Sequence, residues 1–172
     1  MPDIIPSITE SKALEIVRGF FLGFVSCEVN QALDNLVSMP TGEFIALTPI
    51  LLNQLSTPVT TNTDTELKVK QSYQFHVQVD CYGERSFGRA SSLVTLLRSS
   101  VSSEHFDSSG FEIQTLYAED AKRLPTIDDQ EAYIERWTFK SVLQLNQEFN
   151  LSTQTANTLD IDVISVDANY PA

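Results

Sequence analysis

The sequence predicts an α+β domain in which a mainly antiparallel sheet of four to five strands carries two packed helices and a projecting hairpin or loop. Alternate residues between Val69 and Cys81 are apolar, with Gln71 as the one exception, and this pattern is typical of a strand with one buried face. Residues 13–24 instead show the spacing of a helix with one buried face. The elements come in the order helix, strand, strand, helix, strand, strand, so helices can cover one face of antiparallel hairpins.

The first helix is predicted to begin at a capping box, Ser7-x-x-Glu10, with Thr9 as a competing N-cap. Its apolar residues share one helical face, which indicates core packing or, alternatively, a subunit interface. They are Ala13, Ile16, Val17, Phe20, Phe21 and Phe24. The following segment, Val29 to Leu36, is a candidate helical turn.

Two strands and their connection fill the middle of the chain. Glu43 to Leu52 is densely apolar, which predicts a strand covered on both faces, with Pro49 at its edge or end. The link over 56–67 is polar and too long for a tight turn, so we expect a projecting loop or arm at about 53–70. The next strand spans about 40 Å and either bends across the sheet or runs into this arm. It ends at Gly83, where the chain can turn easily.

A second helix and two more strands are predicted in the C-terminal half. The helix runs from about Glu84 to Val101 and fades into a Ser-rich stretch at 99–109. A short strand follows at 111–117, and then a charged loop at 118–131. The last strand has an apolar inward face, made of Tyr133, Trp137, Phe139, Leu143 and Leu145.

The 172 residues fit a single domain, 1–172, with the arm and an extended C-terminal tail at about 150–172. This tail is polar apart from 159–166, which alternates at first and could pair as an extra edge strand. With 42% hydrophobic residues the chain can build a core. The core candidates are Phe20, Phe24, Phe75, Val77, Leu97 and Trp137.

The net charge of −12 describes a surface that repels nucleic acid and anionic membranes. Cys27 and Cys81 are too few to frame a disulfide scaffold, so a reducing compartment is expected. The longest apolar run, Gly19 to Val25, is far shorter than the roughly 20 residues that cross a membrane, and it does not resemble a signal peptide.

The sequence shows no catalytic signature. His76 and Cys81 have opposite parity on the long strand, so they point to opposite faces and out of hydrogen-bond reach. The sequence contains no CxxC, no His pair at metal spacing and no Gly-rich phosphate loop. Acidic residues between Glu119 and Glu131 could gather a hard cation, although a solvated loop is the simpler interpretation. We therefore expect neither an enzyme nor a cofactor.

The second half carries five short motifs in a fixed order. They are Gln78-Val79-Asp80-Cys81-Tyr82-Gly83, Leu96-Leu97-Arg98, Leu116-Tyr117-Ala118-Glu119-Asp120, Leu124-Pro125 and Tyr133 through Trp137. Together they resemble the neck or tail terminator family of tailed bacteriophages, over roughly 44–172. The family has Asn-Gly or Asp-Gly after the Leu-Pro step, whereas this chain has Asp128-Asp129.

The resemblance implies a structural virion protein of the tail neck, assembled in the host cytoplasm. Such proteins form a ring, commonly of six copies, at the head-proximal end of the tail tube. They stop tube assembly and present a surface to the head connector. The implied partners are further copies of the chain, the tail tube protein and a head connector or adaptor protein, with a sheath or collar protein as a further contact. Genomic DNA would pass through without specific binding, and no membrane is involved.

A ring closes through two different patches on each subunit, and an exposed strand or hairpin can add to a neighbour's sheet. The interface candidates are Thr57, Val59, Asp64, Lys68, Lys70 and Arg136. The candidates to line the lumen are Asp80, Glu119 and Asp120, whose charge would keep passing DNA from sticking. Two alternatives stay open: a head–tail connector or tail completion protein of the same neck, and a soluble cellular α+β binding module or small enzyme.

Overall fold

The computed structural model describes residues 4–31, 42–63, 66–127 and 133–152. Within these ranges the chain forms three helices and nine strands, the α+β class that the sequence predicts. The helices are α1 (Glu10–Leu22), α2 (Ser86–Leu97) and α3 (Ser100–Ser108). The strands are β1 (Glu28–Gln31), β2 (Phe44–Gln54), β3 (Val59–Asn62), β4 (Glu66–Tyr82), β5 (Ile113–Ala118), β6 (Lys122–Arg123), β7 (Thr126–Ile127), β8 (Tyr133–Ile134) and β9 (Arg136–Ser152).

A mostly antiparallel sheet of seven described strands is built around the β4–β9 pair, with the main order β1-β2-β4-β9-β5. β4 and β9 pair without a break from Glu66 with Ser152 to Tyr82 with Arg136. The sheet has more strands than predicted because β3 continues the row of β2 along β4, and β6 continues the row of β5 along β9. β7, which lies in the predicted loop, forms a separate pair with β8, which lies at the start of the predicted last strand.

One hydrophobic core lies between the helices and one face of this sheet. It combines buried residues of α1, α2 and α3 with the inward-facing residues of β2, β4, β5 and β9. The predicted core residues Phe20, Phe75, Val77 and Leu97 are buried in it, and Trp137 packs against it partly buried. The alternation along β4 therefore corresponds to one-sided burial under the helices.

The prediction that Phe24 is a core residue is wrong, because its side chain is 49% exposed. α1 ends at Leu22 with Gly23 as its C-cap, so Phe24 no longer follows the helical stripe. Its ring still meets the ring of Phe20, with centroids 5.2 Å apart.

The start of α1 also differs from the capping-box prediction. Thr9 is the N-cap, and its hydroxyl accepts the N–H of Lys12 at 3.3 Å. The hydroxyl of Ser7 instead accepts the N–H of Glu148 at 2.9 Å. Ser7 thus ties the N-terminal segment to β9 rather than capping the helix.

The segment predicted as a helical turn at Val29 to Leu36 is corrected in its first part. Val29 lies in β1, which pairs in parallel with β2. Residues 32–36 of that segment lie outside the described ranges. A buried strand replaces a helix here because Val29, fully buried, fills the core beside α1.

The Ser-rich stretch at 99–109 is mostly helical, as α3, and α2 ends at Leu97 rather than near Val101. Its serines cap and fasten the helix: Ser99 Oγ accepts the N–H of Val101 at 3.3 Å, and Ser102 Oγ donates to the carbonyl of Leu97 at 3.0 Å. Serine favours such positions because its side chain bonds to nearby backbone groups. Phe106, fully buried, anchors α3 to the core.

Tyr133, which was predicted on an inward face, is exposed, and so is Tyr117 in the short strand β5. A register shift between Thr115 and Tyr117 turns Tyr117 outward and gives its inward position to Ala118. Such a β-bulge reverses the alternation that follows it. Tyr133 is 80% exposed because it lies in β8, before β9 begins.

Candidate assembly surfaces

The outer edge of β2 and β3 has no strand partner among the described residues. β1 pairs with β2 only from Phe44 to Leu47, and β3 pairs only with β4. We call the remaining stretch, 48–62, the open edge. Pro49, which cannot donate a backbone hydrogen bond, stands on it beside a register shift, as predicted for a proline in an edge strand.

The open edge is uncharged and partly apolar. No Asp, Glu, Lys or Arg stands between Phe44 and Thr63, although charged residues make up 20% of the chain. Five apolar side chains are exposed along it, namely Ile50, Leu51, Leu52, Leu55 and Val59. Proteins usually protect strand edges with charges because a bare edge can pair with another chain. This edge is therefore suited to strand addition by a partner.

Gln71 bridges the break between β2 and β3. Its Nε2 donates to the carbonyls of Ser56 at 2.5 Å and Ser72 at 2.9 Å, and its Oε1 accepts from Gln54 at 3.3 Å. Gln71 is buried, and these bonds offset the cost of burying an amide. The one polar residue on the apolar side of the predicted strand thus holds the open edge against β4.

Two predicted interface residues lie on the open edge. Thr57 is exposed in the link before β3, and Val59 is exposed at the start of β3. Asp64 lies outside the described residues. The apolar residues Leu51 and Leu52 were missed, because the dense apolar run was interpreted as a fully covered strand; the absence of charge from Phe44 to Thr63 is the signal that could have revealed them.

The two predicted interface lysines lie inside the sheet, on β4 between β3 and β9. Lys68 Nζ is 3.5 Å from a carboxylate oxygen of Glu148, and Lys70 Nζ is 2.6 Å from one of Glu112. All four side chains are partly accessible, with exposed fractions from 35% to 53%. Exposed pairs of this kind contribute little to stability, so a partner can compete for them.

Asp80, which is buried, forms an ion pair with the partly exposed Arg136 on the sheet face opposite the helices. Asp80 is 3% exposed, and its Oδ1 accepts from Arg136 Nε at 3.0 Å and lies 2.9 Å from Nη2. Its Oδ2 accepts from Gln78 at 2.9 Å. Tyr82 stacks on Phe44 nearby, and the Arg136 guanidinium lies 5.5 Å from the Tyr82 ring centre. Asp80 therefore faces the interior of the chain, and this burial argues against a place for it in a solvent-filled lumen.

The other two lumen candidates are accessible. Glu119 lies 3.0 Å from Lys140 Nζ, and Asp120 lies 2.8 Å from Arg98 Nη2. The Asp120 side chain is 86% exposed. These positions are compatible with a charged surface, and their place in a lumen stays a prediction.

Two exposed aromatic residues line a groove between the turn after α1 and the start of α2. They are Phe24 and Phe87, and Gly88 and Arg89 complete much of the wall. The Phe87 ring meets Trp137 edge-on, with centroids 4.9 Å apart. Helical periodicity placed Phe24 on a buried stripe, because it does not report where a helix ends.

Glu43 joins the start of β2 to the start of α2. Its carboxylate accepts from Arg85 Nη2 at 2.8 Å and from Arg89 Nη2 at 2.6 Å. Gly83, at φ +97°, makes room for it, because a Cβ there would lie 2.7 Å from Glu43 Cγ. The hydrogen bonds from Arg85 and then Arg89 lower the pKa of Glu43 from 4.5 to about 2.

We expect the Glu43 contribution to stability to depend on pH. A lowered pKa means that the native chain binds fewer protons, so the contribution is present above pH 4.5 and is lost as pH falls towards 2. The difference in unfolding free energy between the wild type and Glu43→Gln, measured with urea, should shrink between about pH 6 and about pH 3. Glu112→Gln, at an exposed pair, is the control; a constant difference for Glu43→Gln would contradict the argument.

His76 and Cys81 lie on opposite faces of β4, as their parity predicts. Cys81 is fully buried in the helix-side core, and burial raises its pKa to about 12. Burial, with Lys140 nearby, lowers the pKa of His76. In the described part of the chain, no group of three or more His, Cys, Asp or Glu is placed to hold a metal, and no helix is long and apolar enough to cross a membrane.

Comparison with known proteins assigns the family. The model of a family described as phage neck terminator protein matches residues 12–170 of the 172. No curated protein matches the chain. The match spans both long strands and the open edge, and it confirms the resemblance noted in the motifs of the second half. The chain therefore belongs to the phage neck terminator protein family, a family of structural proteins of the phage tail.

Proposed function

We propose that copies of this chain close a ring at the head-proximal end of a phage tail, where the ring stops assembly of the tail tube and joins the tail to the head connector. The observation that carries this proposal is the family match over residues 12–170. Six copies per ring follow the resemblance. The partners are the tail tube protein and a head connector protein, with a sheath or collar protein as a further contact, and assembly takes place in the host cytoplasm.

The open edge supplies one of the two patches that a ring contact needs. A rotational ring uses two different surfaces of each subunit, so that every copy gives one and receives the other. The open edge offers backbone groups that no described strand pairs with, and exposed apolar side chains without charge. Thr57 and Val59 belong to this patch, and Lys68 and Lys70 add charges that a neighbour or the tube can meet.

Glu119 and Asp120 are the proposed lumen residues. Both are accessible, and each copy of the chain brings a net charge of −12. A channel wall of the same sign as DNA repels the phosphates and keeps the duplex from binding as it passes.

The test is the tail-length distribution, by electron microscopy, of phage assembled without this protein. Overlong, headless tubes of varied length are expected if the ring stops tube growth. Tails of normal length that fail to join filled heads would make the chain a connector or completion protein instead. Normal infectious particles would overturn the role in the virion.

Complementation with matched variants tests the open edge in the same assay. Leu52→Lys together with Val59→Lys places charges on the open edge, where both side chains are exposed in the single chain. Val101→Lys places a charge on an exposed apolar residue of α3. The double variant should fail to restore tail length while Val101→Lys restores it; equal restoration would remove the open edge from the ring contact.

A further inference from the structure

Among the described residues no strand covers the open edge, although it is long and carries no charged side chain. It runs over 48–62 without a charged residue, and Pro49 and Pro58 block backbone pairing only at single points. Edges of this kind draw in other strands unless something covers them. The question is therefore which strand takes this position in the assembled protein.

We propose that the C-terminal segment 159–166 of a neighbouring copy pairs with the open edge. This inference rests on the proposed ring and names the contact that closes it. The segment lies outside the described residues, and its sequence alternates Leu159, Ile161 and Val163 with Asp160 and Asp162. Alternation of this kind is typical of a strand with one apolar face.

The segment's acidic residues suit the outermost position in a sheet. Once it is added, the segment itself becomes the edge, and Asp160 and Asp162 give that new edge the charges that the open edge lacks. The sheet therefore gains one strand, and the charges on its new edge discourage pairing with a further strand. A closed ring needs one such addition per contact.

The place where β9 ends allows this contact. β9 ends at Ser152, which pairs with Glu66, and β3 ends nearby at Asn62, which pairs with Leu67. The seven residues from Ser152 to Leu159 can span about 23 Å, several times the strand spacing of about 4.8 Å.

The direction of β9 favours the neighbour's edge over the chain's own. To reach its own open edge, the chain after Ser152 would have to reverse direction and pass β4 and β3. To reach a neighbour at this end of the sheet, it continues in the direction in which β9 already runs. The tail and the open edge thereby become the two different patches of a rotational contact.

The experiment compares the full-length wild type with Ile161→Pro and Ala156→Pro, by native mass spectrometry. Proline removes a backbone donor and fixes φ, so it disrupts strand pairing inside 159–166 but not in the link before it. The wild type and Ala156→Pro are expected to form the same ring. Ile161→Pro is expected to associate at least about tenfold more weakly, the loss of a main contact (roughly 1.4 kcal/mol or more).

Cysteine pairs identify the copy that provides the strand. In a Cys27→Ser background, one chain carries Thr60→Cys on β3 and another carries Ile161→Cys, Val163→Cys or Ser165→Cys. After mild oxidation, a disulfide-linked dimer should form only in the mixture, because a disulfide requires Cα atoms roughly 4.4–6.8 Å apart. Ser108→Cys, exposed on α3, replaces Thr60→Cys in the control and should give no cross-link.

The outcomes separate this inference from the proposed function. A ring that survives Ile161→Pro and gives no cross-link would overturn the strand addition and leave the ring standing. A disulfide that forms within a single chain carrying both cysteines, and never between chains, would place the segment on its own edge and overturn the exchange. A wild type that stays monomeric would overturn the ring and this inference together.

Discussion

Replacing Arg136 with methionine is expected to lower the free energy of unfolding by about 3–5 kcal/mol, the range for removing one partner of a buried ion pair. Methionine keeps much of the apolar stem of arginine but leaves the carboxylate of Asp80 uncompensated at 3% exposure. Gln78 still donates to one oxygen, but the other loses the Nε hydrogen bond and the nearby Nη2 charge. Urea unfolding measures the loss, as a lower midpoint with an unchanged slope.

Two variants make this result specific. Lys70→Met removes an even shorter but exposed ion pair with Glu112, at 2.6 Å, and should cost less than about 1 kcal/mol. Adding Asp80→Asn to Arg136→Met removes the buried charge and should recover much of the loss, because the penalty comes from the unpaired carboxylate. Equal costs for Arg136→Met and Lys70→Met would show that Asp80 is solvated and that the pair is not buried in solution.

The same pair shows what the sequence can predict and what it cannot. Alternation over 69–81 predicted β4 and its polar face, because a strand buried on one side repeats every two residues. Asp80 does lie on the polar face. The alternation indicates that this face is exposed to solvent, whereas Asp80 is buried. Arg136 and Gln78 hold its carboxylate, and Arg136 comes from β9, whose pairing with β4 a local pattern does not contain.

The sequence predicted the strand β2 but not the exposure of its second half, which belongs to the open edge. The apolar run from Glu43 to Leu52 indicated a strand covered on both faces, and this holds from Phe44 to Leu47, which the main core and the small cluster around Tyr82 bury from opposite sides. Beyond Leu47 the residues become exposed, and no described strand continues β1 along the edge. The extent of a neighbouring strand is a tertiary property, so hydrophobicity alone could not separate the buried from the exposed half.

Irregular elements account for most of the remaining differences. The bulge that turns Tyr117 outward and the amide of Gln71 that bridges β2 and β3 both interrupt the regular period on which the predictions depend. α3 was missed because serine has a modest helix propensity, while its caps and the burial of Phe106 come from the folded context.

Phe20→Ala is expected to be the second strongly destabilising substitution, at about 3–5 kcal/mol. Phe20 is 1% exposed, and its ring lies within 6.0 Å, centroid to centroid, of the rings of Phe21, Phe24, His105 and Phe106. Alanine would leave a cavity where α1 meets α3. The neighbours belong to different elements, so they cannot collapse into it without moving a helix.

Phe24→Ala provides the matched control, since it removes the same side chain four residues further along the same predicted stripe. Because Phe24 is 49% exposed after the end of α1, the substitution should cost less than about 1 kcal/mol in urea unfolding of the single chain. Equal losses for the two variants would mean that α1 continues past Gly23 and buries Phe24. A small loss of stability combined with weaker association would instead place Phe24 in a contact between subunits, the alternative that the helical stripe left open.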